Sequence, residues 1–438
     1  MEKELLTLAE QAIDIAQKAG ANNAIARVQD NNSTTFVFRD GKVEETRQNT
    51  SRGLSVQLYV DGRYSSHQTS DLRPNMLAQF VADAVVLTRH LSTDPYRVIP
   101  DTALYANRPQ VSLDLNDTAV RDLPREVCLD WLKAMDVATH QHNKVISATG
   151  RVYYGWHTSA RMSSNGFSGT RTDTSIGYGA NITLDDGSHG RPEAGRYVNG
   201  CYLSDLPKPD AVAQEGLQRA IARLGSQKDV STRAVMVVDP EAGGRLIGAI
   251  WQALYAQSIQ QNRSFLSGKL NVQIASKGLT ITDDPLLRRG QGSRLYDGEG
   301  ISAKSMPIVE NGILRNYYID TYYGRKLGWT PTTGSSSNLI FALGNKDRNA
   351  LISDIDRGFC VTSWLGGNSD PTTGDFSFGF RGHRIAQGQL GAPVSEMNIT
   401  GNLHTLLNSL IAVGDDPNIY SSMRTPTLVF DGVDFSGK

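Results

Sequence analysis

Asp375, Ser377 and His383, in the stretch TTGDFSFGFRGHR, are of the types that a serine hydrolase combines. They supply a hydroxyl nucleophile, an imidazole base and a carboxylate to orient the base. Triads are defined by geometry rather than by closeness in sequence, and the GxSxG elbow that presents such a serine at a strand-to-helix turn is absent. A glycine-rich turn in which Asp375 and Ser377 bond to backbone groups accounts for the same residues. The three therefore stand as groove candidates, and as the machinery of one alternative function, a self-contained hydrolase.

Metal chemistry is limited by its donors. The chain has eight histidines, and none begins an HExxH or HExxxH motif. His140 and His142 lie near the end of a predicted helix, where an i, i+2 spacing points side chains about 200° apart. Cys128, Cys201 and Cys360 are far apart and odd in number, which fits buried small hydrophobes better than disulfides or a CxxC site. The carboxylates of TDDP (Asp283, Asp284) and YDGEG (Asp297, Glu299) lack EF-hand spacing and read as turn chemistry. SFLSGKLN lacks the first glycine of a P-loop, and there is no GxGxxG. These residues assign no catalytic group, no metal ligand and no cofactor.

Bulk properties exclude further classes. Lys and Arg number 44 against 45 Asp and Glu, a net charge of −1, with the basic residues scattered. Nucleic acid is not an expected partner, because phosphate binding draws on clustered positive charge. No apolar run approaches the roughly 18 residues of a transmembrane helix, and the first residues form an amphipathic helical pattern rather than a signal peptide. No membrane partner is expected, and the expected compartment is the cytoplasm.

These residues must be positioned by alternating helices and hairpins. Leu5, Leu6, Ala9, Ala12, Ile13 and Ala16 recur at helical spacing before Gly20. Asp40-Gly41 and Asp61-Gly62 each sit inside a β-rich run, predicting two hairpins. A helix from Asn75 to His90 follows, with Met76, Phe80, Val81 and Val85 on one face. Another follows through Val127, Leu132 and Val137. Strands are expected from Val145 to Tyr202, then a helix over Asp210 to Leu224. The polar stretch GSQKDVST marks a boundary, giving an N-terminal α+β domain at 1–228 and a β-rich C-terminal domain at 229–438. The second opens with a strand, AVMVVD, and a helix. Asp239 caps that helix, Pro240 takes its first position, and Leu246, Ile247, Ile250, Trp251 and Leu254 form its apolar stripe. Later runs, MPIVENGILRNYYIDTY among them, read mostly as strands. The fold class is α+β, two domains of mainly antiparallel sheets packed against helices.

Several longer phrases carry a resemblance. RGLSVQLYVDGRYSSHQTSDL in the first half, and SFLSGKL, LYDGEGISAKSMPIVENGILRNYYIDTYYGRKLG, TTGDFSFGFRGHRIAQGQLGAPVSEMNITGNL and RTPTLVFDGVDFSG in the second, resemble the TldD/TldE (PmbA) proteins, also called modulators of DNA gyrase. The resemblance implies that a TldD-type chain of this family is a zinc peptidase bearing HExxxH on a helix and a further cysteine ligand, working in complex with a TldE-type chain. Where HExxxH would stand, this chain reads PEAGGR. Pro240 and Arg245 occupy the histidine positions, and Glu241 remains. Proline offers no donor and arginine is permanently cationic. The Cys-Gly-Lys segment is also missing between Gly414 and the last strand.

The implied role is a non-catalytic TldE/PmbA-type subunit. Its partners would be a TldD-like zinc peptidase chain and unfolded peptides, and it could form a homodimer in isolation. TTGSSSN and TTGDFSFG are candidate groove walls for strand addition. Glu241, without metal-bound water to deprotonate, is expected to have only a local role at the helix start. The alternatives are the self-contained hydrolase above and a peptide-binding scaffold homodimer with no part in proteolysis.

Overall fold

The computed structural model describes residues Met1–Lys438. Helix α1 (Glu2–Lys18) buries Leu5, Ala9, Ala12, Ile13 and Ala16 on one side. It ends where Gly20 turns to a φ of +99°. The Gly20 N–H then bonds to the Gln17 carbonyl and the Ala21 N–H to that of Ala16, the two closing bonds of a Schellman motif. Strands β1 (Asn23–Arg39), β2 (Lys42–Val60) and β3 (Arg63–Thr69) follow. Both Asp-Gly pairs form the expected two-residue turns with positive φ at each residue. The two expected hairpins share β2, so they form one three-stranded meander. The polar stretch inside β2 stays laddered to β1, helped by Asn31 Nδ2 donating to Ser51 Oγ (3.2 Å) and Asn32 Nδ2 donating to Thr50 Oγ1 (3.0 Å).

After α2 (Pro74–Thr88), the one-turn α3 (Thr118–Arg121) and α4 (Arg125–Thr139), the strands β4 (Val145–Ser163), β5 (Ser168–Leu184) and β6 (Glu193–Gly200) complete an antiparallel sheet in the order β3-β2-β1-β4-β5-β6. Helix α5 (Pro209–Ile221) follows. Ala24, Ala26, Val28, Phe36 and Phe38 of β1, with Val152 and Ala160 of β4, all point to the helix-covered face. The alternate residues Arg27, Gln29 and Ser33 are exposed on the other. This is the alternation of a sheet with one solvated face.

Two helical faces are corrected. On α4 the buried stripe is Cys128, Leu132, Met135 and Thr139, whereas Val137 is 66% exposed. Spacings of five residues, as in 127, 132 and 137, advance about 140° per step and walk off any face. On α2 the core side is Leu77, Val81, Ala84 and Val85, while Met76 is exposed.

In the second half, β7 (Thr232–Val238) leads into α6 (Pro240–Trp251). The chain then runs through α7 (Ala256–Gln260) and a small sheet. That sheet combines β8 (Ile281–Asp283), β9 (Met306–Glu310), β10 (Ile313–Leu314), β11 (Leu339–Phe341) and, later, β16 (Met423–Arg424). Between these strands lies α8 (Thr321–Leu327). NYYIDTY is therefore not strand. Asp320 accepts from the Tyr323 N–H at 2.6 Å and starts α8, while Tyr318 is buried with its hydroxyl on Asp283 Oδ2 (2.6 Å). A local cap and a buried hydrogen bond outweigh the β-propensity of the tyrosines.

The larger sheet adds β12 (Arg357–Ser369), β13 (Asp375–Ala386), β14 (Gln389–Asn402), β15 (Leu410–Val413) and β17 (Leu428–Ser436), in the order β14-β13-β12-β7-β17-β15. The short helices α9 (Arg348–Ser353) and α10 (Leu403–Asn408) flank it. Pairing of β14 with β17 through Asn398–Ile399 and Phe435–Ser436 closes the sheet on itself. Phe376, Phe378 and Phe380 of β13 point inward, and the alternate residues point out. No helix is long and apolar enough to cross a membrane.

Away from the sheets, Asp114 joins the two halves. Its Oδ2 accepts from Arg288 Nη2 (2.7 Å) and Arg289 Nε (2.7 Å), and its Oδ1 from the Tyr202 hydroxyl. The hydrogen bonds from Tyr202 and then Arg289 hold its carboxyl down at about 2, against an ordinary 3.8. A depressed carboxyl pKa contributes stability above the ordinary value that is lost as pH falls through the folded one. The wild-type thermal midpoint should therefore drop more between pH 3.8 and about 2 than that of Asp114→Asn; parallel curves would exclude this link as an acid-sensitive contact. Leu132→Ala is expected to cost about 2–5 kcal/mol in urea unfolding, and Val137→Ala less than about 0.5. Equal costs would contradict the assigned face.

Candidate functional site

Helix α6 starts as its sequence dictates. Asp239 Oδ1 accepts from the Glu241 N–H at 3.0 Å, and Pro240 follows at the first position. Leu246, Ile247, Ile250, Trp251 and Leu254 are buried in the core of the second half. This fixes the first turn of α6 at the seam between the halves, beside a half-open cavity of about 1080 Å³. Residues 193–197 of β6 and the last turns of α5 form one wall. The start of α6, with β12 and β13, forms the other.

Glu241 points across this seam. Its carboxylate receives Arg219 Nη1 at 2.7 Å and Nη2 at 2.8 Å, and Arg196 Nη1 also contacts it. Both arginines belong to the first half, Arg196 on β6 and Arg219 on α5, and they share Glu215 as a second acid at 3.3 and 2.6 Å. Glu241 keeps the expected place in the first turn of α6 and in addition bridges the halves. The arginines that complete this bridge are far away in sequence, so no helical spacing points to them.

The neighbouring positions offer no metal site either. Pro240 contributes only its carbonyl, which accepts from Thr425 Oγ1 at 2.7 Å. Arg245 donates to the Gly367 carbonyl at 2.8 Å, with its guanidinium 5.1 Å from the centre of the Phe378 ring. Asp239 is buried and contacts Arg348. Burial pushes its carboxyl up, and Arg348 opposes the shift. Cys360, also at the cavity, is buried with its thiol pushed up to about 12, far from a thiolate. Zinc does not fit a proline, an arginine and an acid already held by two guanidiniums. Nowhere do three or more His, Cys, Asp or Glu side chains gather as a metal site would need.

Asp375, Ser377 and His383 all lie on the outward side of β13, yet the structure spreads them along it. Six residues separate Ser377 from His383, about 20 Å of extended strand. Asp375 is held at the far end by Thr373 Oγ1 (2.8 Å) and Asn402 Nδ2 (2.9 Å). His383 alone reaches the cavity, where Nε2 bonds to the Ala222 carbonyl at 3.0 Å. Burial lowers its pKa.

The proposed groove walls lie elsewhere. TTGSSSN packs inward, with the Ser337 N–H on Asp283 (3.0 Å), Thr333 Oγ1 on Asp297 Oδ2 (2.9 Å), and Asn338 fully buried. Asp284 and Asp297 perform the turn chemistry expected of them, Asp284 Oδ1 accepting from the Leu286 N–H at 2.9 Å, whereas Asp283 lies in β8 and bonds to Tyr318 and Ser337, and Glu299 accepts from the N–H and hydroxyl of Thr321. Asp297 Oδ1 accepts from the N–H groups of Glu299 and Ile301. TTGDFSFG lies away from the cavity lining. Besides Arg245, the lining holds arginines that sequence reading missed: Arg219, Arg223, Arg348 and Arg381.

Glu241→Ala leaves Arg196 and Arg219 with only the more exposed Glu215 as a shared acid. It should cost roughly 2 kcal/mol, between the about 1 of an exposed pair and the about 3–5 of a buried one, read as a lower urea midpoint. Glu241→Gln should recover little, since the amide keeps the shape and loses the charge. Unchanged midpoints in both variants would remove the bridge.

Comparisons with known proteins agree over most of the chain. Models described as PmbA/TldA metallopeptidase domain 1, central domain and C-terminal domain match residues 24–87, 119–224 and 231–437. The metalloprotease PmbA of Escherichia coli O157:H7 is 27% identical over 91% of this chain and 89% of its own length. A crystal structure from Bacteroides thetaiotaomicron, of a protein described as a candidate modulator of DNA gyrase, superposes with a TM-score of 0.95. It is 39% identical and covers 99% of this chain and 98% of its own. TldE of Thermococcus kodakarensis, at 18% identity, shares the fold with a TM-score of 0.86 over 98% of this chain and 100% of its own.

Proposed function

Since this chain belongs to the PmbA/TldD family of metallopeptidase-type proteins, we propose that it is a TldE/PmbA-type subunit that does not itself hydrolyse peptides. It pairs with a TldD-like zinc peptidase chain in the cytoplasm, helps to hold unfolded peptide, and leaves hydrolysis to the partner. One observation carries this reading. The residues at the positions of a peptidase HExxxH are Pro240, Glu241 and Arg245, and Glu241 is tied to Arg196 and Arg219. A general base must be free to take a proton, and both oxygens of this acid are already held by guanidiniums.

A peptide-holding role draws support from β12. The strand pairs with β7 only through Gly358–Val361 and continues to Ser369 paired with β13 alone. Thr362, Ser363 and Trp364, on the stretch without β7, line the cavity. An extended peptide gains main-chain hydrogen bonds from an unpaired edge of this kind. The free, buried cysteines suit a reducing compartment.

Metal content and cleavage of an unfolded peptide, measured for this chain alone, for a TldD-like chain from the same cell, and for the two mixed, test the proposal. The expected result is no zinc and no cleavage for this chain alone, and a complex with altered cleavage on mixing. Cleavage by this chain alone that is lost in Ser377→Ala or His383→Ala would establish the self-contained hydrolase instead. Neither a complex nor altered cleavage would leave the scaffold homodimer.

A further inference from the structure

The cavity at the seam holds more guanidinium than its acids can neutralise. Glu215 and Glu241 are taken by Arg196 and Arg219 and Asp239 by Arg348, while the Glu193 carboxylate contacts the neutral Asn181 amide and lies near Arg223, whose Nη1 donates to the Glu193 carbonyl. Arg223, Arg245 and Arg381 make no ion pair with any carboxylate. Arg381, on the outward side of β13, has no side-chain hydrogen bond, and Arg245 is satisfied only by the Gly367 carbonyl and the Phe378 face.

Arg381 and Arg245 belong to the side built by β13, β12 and α6, and Arg223, just past α5, faces Arg381 from the other. Arg381 stands opposite Ser363 in the β12–β13 ladder, and Arg223 Nη2 donates to the Ser363 hydroxyl at 2.9 Å, so both converge on the same residue. Arg245 reaches the same strand four residues further on, at Gly367. Packing like charges beside one another has a cost, visible at Arg223. Burial first, then Arg381 and Arg219, push its guanidinium down to about 10. An anion between these groups would relieve that repulsion and use guanidinium donors that no protein acid occupies.

We infer that Arg223 and Arg381, with Arg245 further along β12, line an oxyanion-binding site whose occupant is the free C-terminal carboxylate of a peptide lying in the cavity. The inference rests on the peptide-holding role proposed above. The alternative source of the same chemistry, free phosphate, would fill only a small part of about 1080 Å³. A few peptide residues fill such a volume, and the unpaired stretch of β12 runs beside the arginines to receive their main chain.

The test uses the full-length protein and fluorescently labelled hexapeptides of one unfolded sequence, ending either in a free acid or in an amide. Binding is measured by anisotropy, and inorganic phosphate is titrated calorimetrically in parallel. The free acid should bind about tenfold or more tighter than the amide, a preference that weakens with added salt. Arg381→Gln and Arg223→Gln should each abolish the preference, and Arg381→Lys should retain part of it. Arg381 holds nothing else in place, so its variants should keep the wild-type melting temperature.

Equal binding of acid and amide overturns the carboxylate site while leaving peptide holding intact, and so does a preference that survives both glutamine variants. If neither peptide binds and phosphate binds in an Arg381-dependent way, the arginines form a free-phosphate site and the peptide occupant is wrong. If neither peptide nor phosphate binds, the inference fails entirely.

Discussion

Glu241 and the two arginines that hold it set the geometry on which the rest of the site depends. The acid lies on the first turn of α6, Arg196 on the edge strand of the first sheet, and Arg219 on the helix that covers that sheet. Removing charge from water is costly unless the partners are close and fully hydrogen-bonded. Here Arg219 meets Glu241 with two bonds of 2.7 and 2.8 Å, while Arg196 is only 12% exposed at its side chain. The same contact fixes the walls of the cavity against one another and consumes both carboxylate oxygens. One interaction therefore joins the halves and removes the acid from chemistry.

Local features of the fold were legible where one short-range rule decided the outcome. The Asp-Gly turns follow from the two-residue hairpin's need for positive φ. The N-cap at Asp239 and the stripe from Leu246 to Leu254 follow from helix-end chemistry and a period of 3.6. Errors arose where two local preferences competed. In NYYIDTY the tyrosines favour strand, but Asp320 caps a helix and Tyr318 finds a buried acid. On α4 a five-residue spacing was read as a face that geometry does not allow.

The site was less legible, for a different reason. Pro240, Glu241 and Arg245 are adjacent in sequence and could be identified as a set, but what they do depends on residues brought in by sheet register. Arg196 reaches Glu241 because β6 is the edge of one sheet, and Arg381 reaches the cavity because outward positions of β13 alternate with its phenylalanines. The alternation is written in the spacing of the phenylalanines; the sheet order is not written in any spacing. Asp375, Ser377 and His383 show the converse: closeness in sequence on an extended strand keeps side chains about 7 Å apart for every two residues.

The electrostatics of the cavity decide which charge it favours. Arg245 on α6 and Arg381 on β13 line it from one side, and Arg223 faces Arg381 from the end of α5. At an effective dielectric of about 20, a divalent cation roughly 6 Å from a single guanidinium is repelled by about 5 kcal/mol, and further guanidiniums add to this. The same field attracts a carboxylate by about half as much per arginine. The cavity therefore favours an anion, such as the carboxylate end of a chain, over a metal ion.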